Sequence, residues 1–572
     1  MSLTSVVLRT VSSPRRSPPA ESERPPVWSR LWTMFDATPA GRRVPGTVPV
    51  FLVGVVFGTV ASAWALHRGM NMDYGDSMAH LTIARRIIDS KTPGLQQLGT
   101  VWLPLPHLLL LPLVTNLWLW HTGIAACILG SLCLGATSAG LYRIMARLGF
   151  DGIGRLVGLG ILLSNLSLLY ACTEALTEPV LIGCIVCCLA GLAGWTFAPR
   201  RLSGGELSVF AGIPAAGAVL SRYEGWALVL SGTIYVGIVS WRRHDTMRQV
   251  LVCCFAFAVV PTAAVGWWLA YNMAWYGNPL EFLTGPYSAA AFTKTFIAQG
   301  LLTTKGNLGL SLQVYLEALL QTSGLIPMLL AAASTLWMTA RWGLSNRALL
   351  IWLAGTSSIF LVFSLTTGQH IMVNPASTPP GADYNNRYAL SAVPWFALLV
   401  AYLVGSCRGF VRARLVASVV ITALMIGQVA YWFDDPYDRL SVINEGDSGH
   451  TGFLGVKAAA NWLRSHYDGG GILMDESSDK LALAPVLGIP MAQIYNRASG
   501  GYFEEAIADP ATHVRWVFMH TTLPTNLSTQ SAYDHVAVVL LKDPEFAVRF
   551  RLAYSQDGFG VYRLVDPAHA GS

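Results

Sequence analysis

The chain has 572 residues, of which 53% are hydrophobic and only 12% charged, with a formal net charge of +6. Water-soluble domains carry roughly 25% charged residues, so this composition leaves too little polar surface for a soluble body of this size. The positive balance does not indicate nucleic acid, because the basic residues fall in short clusters between apolar runs, the pattern that encodes membrane topology.

In chain order, residues 1–46 are rich in Pro, Ser and Arg and read as a disordered cytoplasmic tail. They do not resemble a cleaved signal, since the first apolar run starts late and is long. Apolar runs near the length of a membrane span follow, among them Val48–Leu66, Val180–Phe197, Val250–Ala270 and Val411–Phe433. With the tail inside, the clusters Arg143/Arg147/Arg155, Arg200/Arg201, Arg242/Arg243/Arg248, Arg341/Arg347 and Arg408/Arg412/Arg414 also fall inside. That requires about eleven crossings, at 48–66, 122–142, 154–170, 178–197, 206–221, 225–241, 249–270, 318–339, 348–366, 388–405 and 413–432. The segment Leu103–Trp120 is apolar but broken by Pro104, Pro106 and Pro112. Counting it as a crossing inverts every later cluster, so it reads as an interfacial or re-entrant helix. The expected domains are a transmembrane unit at 47–433, with a long first outer loop at 67–121, and an extracytoplasmic unit at 434–572. The setting is the plasma membrane.

The outer loops collect ionisable residues. The first carries Asp73, Asp76 and His80, with Asp76–Asp89 reading as a short amphipathic helix whose Leu81, Ala84 and Ile88 share a face. The bland role for Asp76 is a helix N-cap, which leaves Asp73 and His80 without a purpose. Glu174 and Glu178 lie where one helix ends and the next begins, and Glu178 before Pro179 suits a helix start. Arg222, Tyr223 and Glu224 sit between two apolar helices with almost no loop, a costly place for charge and a functional suspect. Their i, i+2 spacing argues against an internal Arg222–Glu224 pair. Asn386, Arg387 and Tyr388 open another helix, where an arginine opposes the dipole unless an anion is near; a snorkelling interfacial arginine is the alternative. Together these offer a carboxylate to deprotonate a hydroxyl and arginines for a phosphate. No Walker loop, dinucleotide glycine pattern, zincin motif or nucleophile elbow stands out.

The run Asp76-Ser77-Met78-Ala79-His80-Leu81 through Ala84-Arg85-Arg86 resembles the first-loop element of the GT-C superfamily of polytopic glycosyltransferases. The branch it is most similar to contains the dolichyl-phosphate-mannose–protein mannosyltransferases and the aminoarabinose transferases. Trp102-Leu103-Pro104-Leu105-Pro106, Thr177-Glu178-Pro179, Arg222-Tyr223-Glu224-Gly225-Trp226, Tyr276-Gly277-Asn278-Pro279 and Asn386-Arg387-Tyr388 are similar to further elements, in the same order, across roughly residues 48–400. Ser77 stands where a second acid is common and Ala79 where an aromatic is, which argues against a metal in this loop. The resemblance implies a sugar donor on polyprenyl phosphate and inverting transfer to a hydroxyl of a lipid, polysaccharide or protein acceptor. It casts Asp76 as general base and Arg387 or Arg222 as the group stabilising the phosphate. Asp73, His80, Glu174, Glu178, Tyr223, Glu224, Asn386 and Tyr388 are then substrate-binding candidates. It fixes no cofactor and leaves a divalent cation open.

From Gly452 the pattern changes to a small α/β domain, with helices at Lys457–His466 and Phe503–Ala508 and strands at Gly471–Asp475, Trp516–His520, Ala537–Leu541 and Phe559–Leu564. Asp475-Glu476 at a strand end reads as a site or as ordinary loop acids. A transporter or flippase of a lipid-linked or anionic substrate is the rival reading, but it calls for inverted repeats and mid-membrane acids, neither of which is found. A membrane-anchored scaffold is a third reading, and it leaves the long outer loops unexplained.

Overall fold

The computed structural model describes residues 33–37, 39, 41, 43–198, 202–286, 288–298, 302–368, 385–406, 411–476, 483–523 and 534–565. Most of the expected tail, the clusters' Arg200, Arg201 and Arg408, and 369–384 before the Asn386 turn lie outside them.

Among the described residues, six helices are long and apolar enough to cross a membrane: Thr47–Arg68, Ile124–Arg147, Glu178–Phe197, Met247–Tyr276, Asn386–Ser406 and Arg414–Asp434. Two bent pairs raise the number to eight if each is one span, Leu308–Ser323 with Leu325–Trp342 and Asn346–Leu353 with Thr356–Thr367. The chain is a multi-pass membrane protein. Burial sorts its helices. Asn386–Ser406 is 78% buried and forms the centre, whereas Arg414–Asp434 is 17% buried and offers Val416, Val419 and Ile426 to its surroundings.

Several expected spans are shorter or broken. The segment expected at 318–339 is two helices that meet at 118°, because Gly324 takes a positive φ of 84° that ends the first helix. That expected at 154–170 stops at Leu163 and restarts at Leu166, where the Asn165 side chain caps the new helix. The Pro-interrupted segment forms Leu105–Val114 and Leu117–His121. A ten-residue helix covers about 15 Å, half of the roughly 30 Å hydrocarbon core, so neither piece spans it.

The first-loop helix Gly75–Arg86 lies against Leu105–Val114, and Met78, Leu81 and Ala84 are fully buried with Leu110, Val114 and Trp120. Arg85 fixes this corner by donating to the Val114 and Thr115 carbonyls, which end Leu105–Val114, and by pairing with Asp89 at 2.6 Å.

The C-terminal unit holds a five-stranded sheet of order β2-β1-β3-β5-β4. Its strands are β1 (Ile472–Leu473), β2 (Ile494–Tyr495), β3 (Trp516–His520), β4 (Phe550–Gln556) and β5 (Phe559–Leu564). β1 runs parallel to β2 and β3, and the β3–β5–β4 edge is antiparallel. Alternation along β3 buries both faces. Trp516 and Phe518 face the helix Ser441–His466, and Val517 and Met519 face Phe503 and Val536. The expected strand at Ala537–Leu541 is instead the helix His535–Leu540, which Asp534 opens by accepting the Ala537 amide. Its apolar run was too short for periodicity to separate strand from helix.

The apolar core beneath β1 and β3 is continuous with that of the first-loop helix: Val456, Ala459 and Leu463 share one cluster with Met78 and Leu81. Packing therefore crosses the expected boundary at 434.

Candidate active site

Five separate stretches of chain meet at one end of the helical bundle, placed by local devices. Cys172 and the Thr173–Thr177 turn are pressed against Gly130 of Ile124–Arg147, where any Cβ would collide with the Cys172 carbonyl. This close approach seats Glu174, and Glu178 begins the next helix behind Pro179. Arg222 lies in the tight turn between Ile213–Val219 and Glu224–Arg242. Asn385 adopts φ 58°, a left-handed conformation that Asn tolerates. It turns the chain into the 3₁₀ segment Asn386–Ala392, which the Asn386 amide pins to Gln321 at 2.6 Å.

Arg387 is the hub. Its guanidinium is 3% exposed and reaches Asp76, Glu178 at 3.2 Å and Glu445 at 2.6 Å. Arg222 extends the array, donating to Glu178 and Glu224, each at 3.0 Å, and to the Thr177 hydroxyl. The guanidinium of Arg222 stacks 3.8 Å above the Tyr388 ring and that of Arg387 lies 4.8 Å from the Tyr74 ring. Two buried cations are thus shared among four carboxylates. Only Asp76 among these acids is open, at 39% exposure. The second oxygens of Glu178 and Glu445 are buried and find no hydrogen-bond donor among the described residues, and such acceptors are costly to leave unmade. Burial pushes the Glu445 carboxyl up to about 7 against the pull of Arg387.

A second cluster adjoins the first. Asp73 is fully buried, accepts from His450 at 2.7 Å and lies 3.8 Å from Lys457. Its backbone amide donates to Glu174 at 2.9 Å, and the Tyr170 hydroxyl reaches the Asp73 carboxylate at 3.2 Å. Burial, reinforced by the Asp73 charge, raises the Glu174 carboxyl to about 8. The folded chain therefore holds a proton on Glu174 that the unfolded chain has released above its ordinary value near 4.5. Stability contributed by this group falls as pH rises through that window, because the native state binds more protons. Glu174→Gln keeps an acceptor oxygen for the Asp73 amide and removes the titration. Its melting temperature in detergent is expected to exceed that of the wild type above about pH 8 and to match it near pH 5.

Of the expected residues, Asp76, Glu178, Arg222, Glu224, Arg387 and Tyr388 come together, with Asp73 and Glu174 beside them. Two expectations are corrected. Asp76 does not cap its helix: Tyr74 is the N-cap residue, and the Asp76 side chain turns to Arg387 instead. Arg222 and Glu224 do pair, because Arg222 lies in a turn rather than on the helix, where the i, i+2 rule applies. His80 is buried and bonded to His107 at 2.8 Å beside Trp102, and burial lowers it to about 3, so it stays neutral behind the cluster. Tyr223 points away, stacking on Phe282 and donating to the Val101 carbonyl. Asn386 supports the turn rather than the cluster.

Glu445, His450 and Lys457 were missed. All three lie on Ser441–His466, the helix that leads into the C-terminal sheet, and bring that unit into the site. Gly449 allows the approach, since a Cβ there would strike the Asp73 carbonyl. Among the described residues, no group of three or more His, Cys, Asp or Glu side chains is placed to hold a metal ion.

A polytopic helical domain with short first-loop helices, a charged cluster at one end and a small sheet domain packed against it is a fold that recurs among solved structures. Among solved structures the chain is similar to ArnT, the aminoarabinose transferase of Cupriavidus metallidurans. In its apo state, identity is 13% over 90% of this chain and 98% of that one, with a TM-score of 0.51. Bound to undecaprenyl phosphate, the same protein matches at 14% identity, 92% and 99% coverage and a TM-score of 0.52. A looser likeness is to the oligosaccharyltransferase of Archaeoglobus fulgidus, at 12% identity and a TM-score of 0.42. At these identities the likeness establishes the fold alone. No protein-family model matches the chain. No curated protein matches it either.

Proposed function

We propose that the protein is a glycosyltransferase that moves a sugar from a polyprenyl-phosphate donor to an acceptor hydroxyl on the extracytoplasmic face. The observation that carries this reading is the contact between the half-exposed Asp76 and the buried Arg387. That contact supports the reading because inverting transfer needs a base for the acceptor and a cation for the leaving phosphate within one site. Asp76 accepts the proton of the acceptor hydroxyl as that oxygen attacks the anomeric carbon. The bond to the phosphate oxygen breaks on the opposite side, and Arg387, with Arg222 behind it, stabilises the charge left on the phosphate.

The acids around Arg387 must make room for that phosphate. Glu445 is the one to yield, because a carboxyl raised to about 7 is readily protonated and then attracts Arg387 less. The orphaned oxygens of Glu178 and Glu445 are acceptors suited to sugar hydroxyls. The GT-C fold supports the reading, and the positive-inside rule argues for an extracytoplasmic cluster and C-terminal unit. The ArnT structure that holds undecaprenyl phosphate suggests the donor class.

The test is transfer of radiolabelled sugar from undecaprenyl-phosphate sugars to envelope acceptors by the purified protein in proteoliposomes. Transfer that depends on the protein supports the reading. No transfer from any polyprenyl-phosphate sugar, in a preparation that melts cooperatively, rejects it.

A further inference from the structure

A cavity of about 650 Å³, within the size range of small-molecule sites, opens between the first loop and the C-terminal unit. Arg86, Gln96 and Gln97 wall it on the loop side, Tyr276 stands at the end of Met247–Tyr276, and Tyr502 and Glu505 come from the helix Gly501–Ala508. The two units are tied together at its edge, where the Gln97 amide donates to the Ala498 carbonyl at 3.0 Å and Arg86 donates to the Gln97 carbonyl at 2.6 Å.

The lining selects among ligand classes. Both tyrosines are open, at 40% and 48% exposure, and offer apolar ring faces with a polar tip. Glu505 shares the lining with Arg86, so the walls carry no net positive charge to favour an anion. Glu505 is a single carboxylate, too few for a metal, and the charged and amide side chains of Arg86, Glu505, Gln96 and Gln97 disfavour a wholly apolar guest. A neutral, polyhydroxylated ring with C–H faces for the tyrosines and hydroxyl edges for Gln96, Glu505 and Arg86 satisfies all of these. Arg86 and Asp76 lie on one helix, ten residues and so about 15 Å apart along its axis, which separates the cavity from the base. The sugar being transferred cannot occupy both places. A donor that carries one sugar ends at Asp76, so a second sugar belongs to the acceptor.

We propose that this cavity is a saccharide subsite for a non-reacting sugar unit of the acceptor, a claim that rests on the glycosyltransferase reading. The experiment is saturation-transfer NMR on the full-length protein in detergent, with maltotriose, chitobiose, mannobiose and lactose as probes. At least one probe is expected to bind, and Tyr502→Ala, an exposed position that leaves the fold alone, to weaken it about tenfold. Glu505→Gln should weaken it less, and Asp76→Asn not at all. Binding by none of the four, binding indifferent to Tyr502→Ala, or binding lost in Asp76→Asn would overturn the proposal. Competition by undecaprenyl-phosphate glucose would assign the cavity to the donor and overturn it as well. Saccharide binding that depends on Tyr502, in a protein that transfers no sugar, would support the subsite while the transferase reading fails.

Discussion

Asp76→Asn is expected to lower sugar transfer by roughly a hundredfold to ten-thousandfold, the range of a lost general base, while leaving the protein folded. The first half follows from position: Asp76 is the one acid of the Arg387 array that is open enough to meet an acceptor, at 39% exposure. The second half follows from what remains. Arg387 keeps Glu178 and Glu445 as partners, so no buried charge is stranded, and asparagine is nearly the same size. Initial rates with radiolabelled donor, beside thermal melts of the same preparation, check both halves. Undiminished transfer would remove Asp76 from the chemistry.

Arg387→Gln is expected to fail differently, in stability as well as rate. Its guanidinium is 3% exposed and faces three carboxylates, and breaking a buried ion pair costs about 3–5 kcal/mol because the partner charges are left behind. Glu445 already titrates near 7 with Arg387 pulling it down. Without that pull its carboxyl rises further, so the folded variant takes up a proton that the unfolded chain does not hold. Stability of the variant therefore falls as pH rises, and its melting deficit against the wild type should be larger at pH 8 than at pH 6. Arg387→Lys retains the charge but not the planar fork that reaches three acids at once. It should fold better than the glutamine variant and still lose about a hundredfold to a thousandfold in turnover. A lysine variant with wild-type turnover would show that Arg387 is structural.

Much of this was legible in the residues. Asp76, Glu178, Arg222 and Arg387 stand out because charge beside long apolar runs is expensive and so demands a partner. The short, Pro-broken segment declared itself by its prolines. The long helix Ser441–His466 is legible in the residues only from Lys457 onward, because Gly446, Gly449 and Gly455 weaken helix propensity by about 1 kcal/mol each. Those glycines face Tyr170, Asp73 and Asp557, so they read as helix breakers until the surfaces they press against are known. Glu445, His450 and Lys457 were hidden with that helix. Tyr223 and His80 were plausible by neighbourhood but turn away, because direction on a turn or a short helix depends on what packs beside it.

Composition and patterning alone settled the solvent and the parts: a low charge fraction and long apolar runs require a membrane, and the ionisable residues near the ends of those runs mark the candidate site. Tertiary structure decided the partnership. Asp76 and Arg387 are separated by 311 positions, and nothing local couples them. They meet because helices seated on glycine contacts, and a C-terminal helix laid over the first loop, leave one place where two buried arginines can be neutralised.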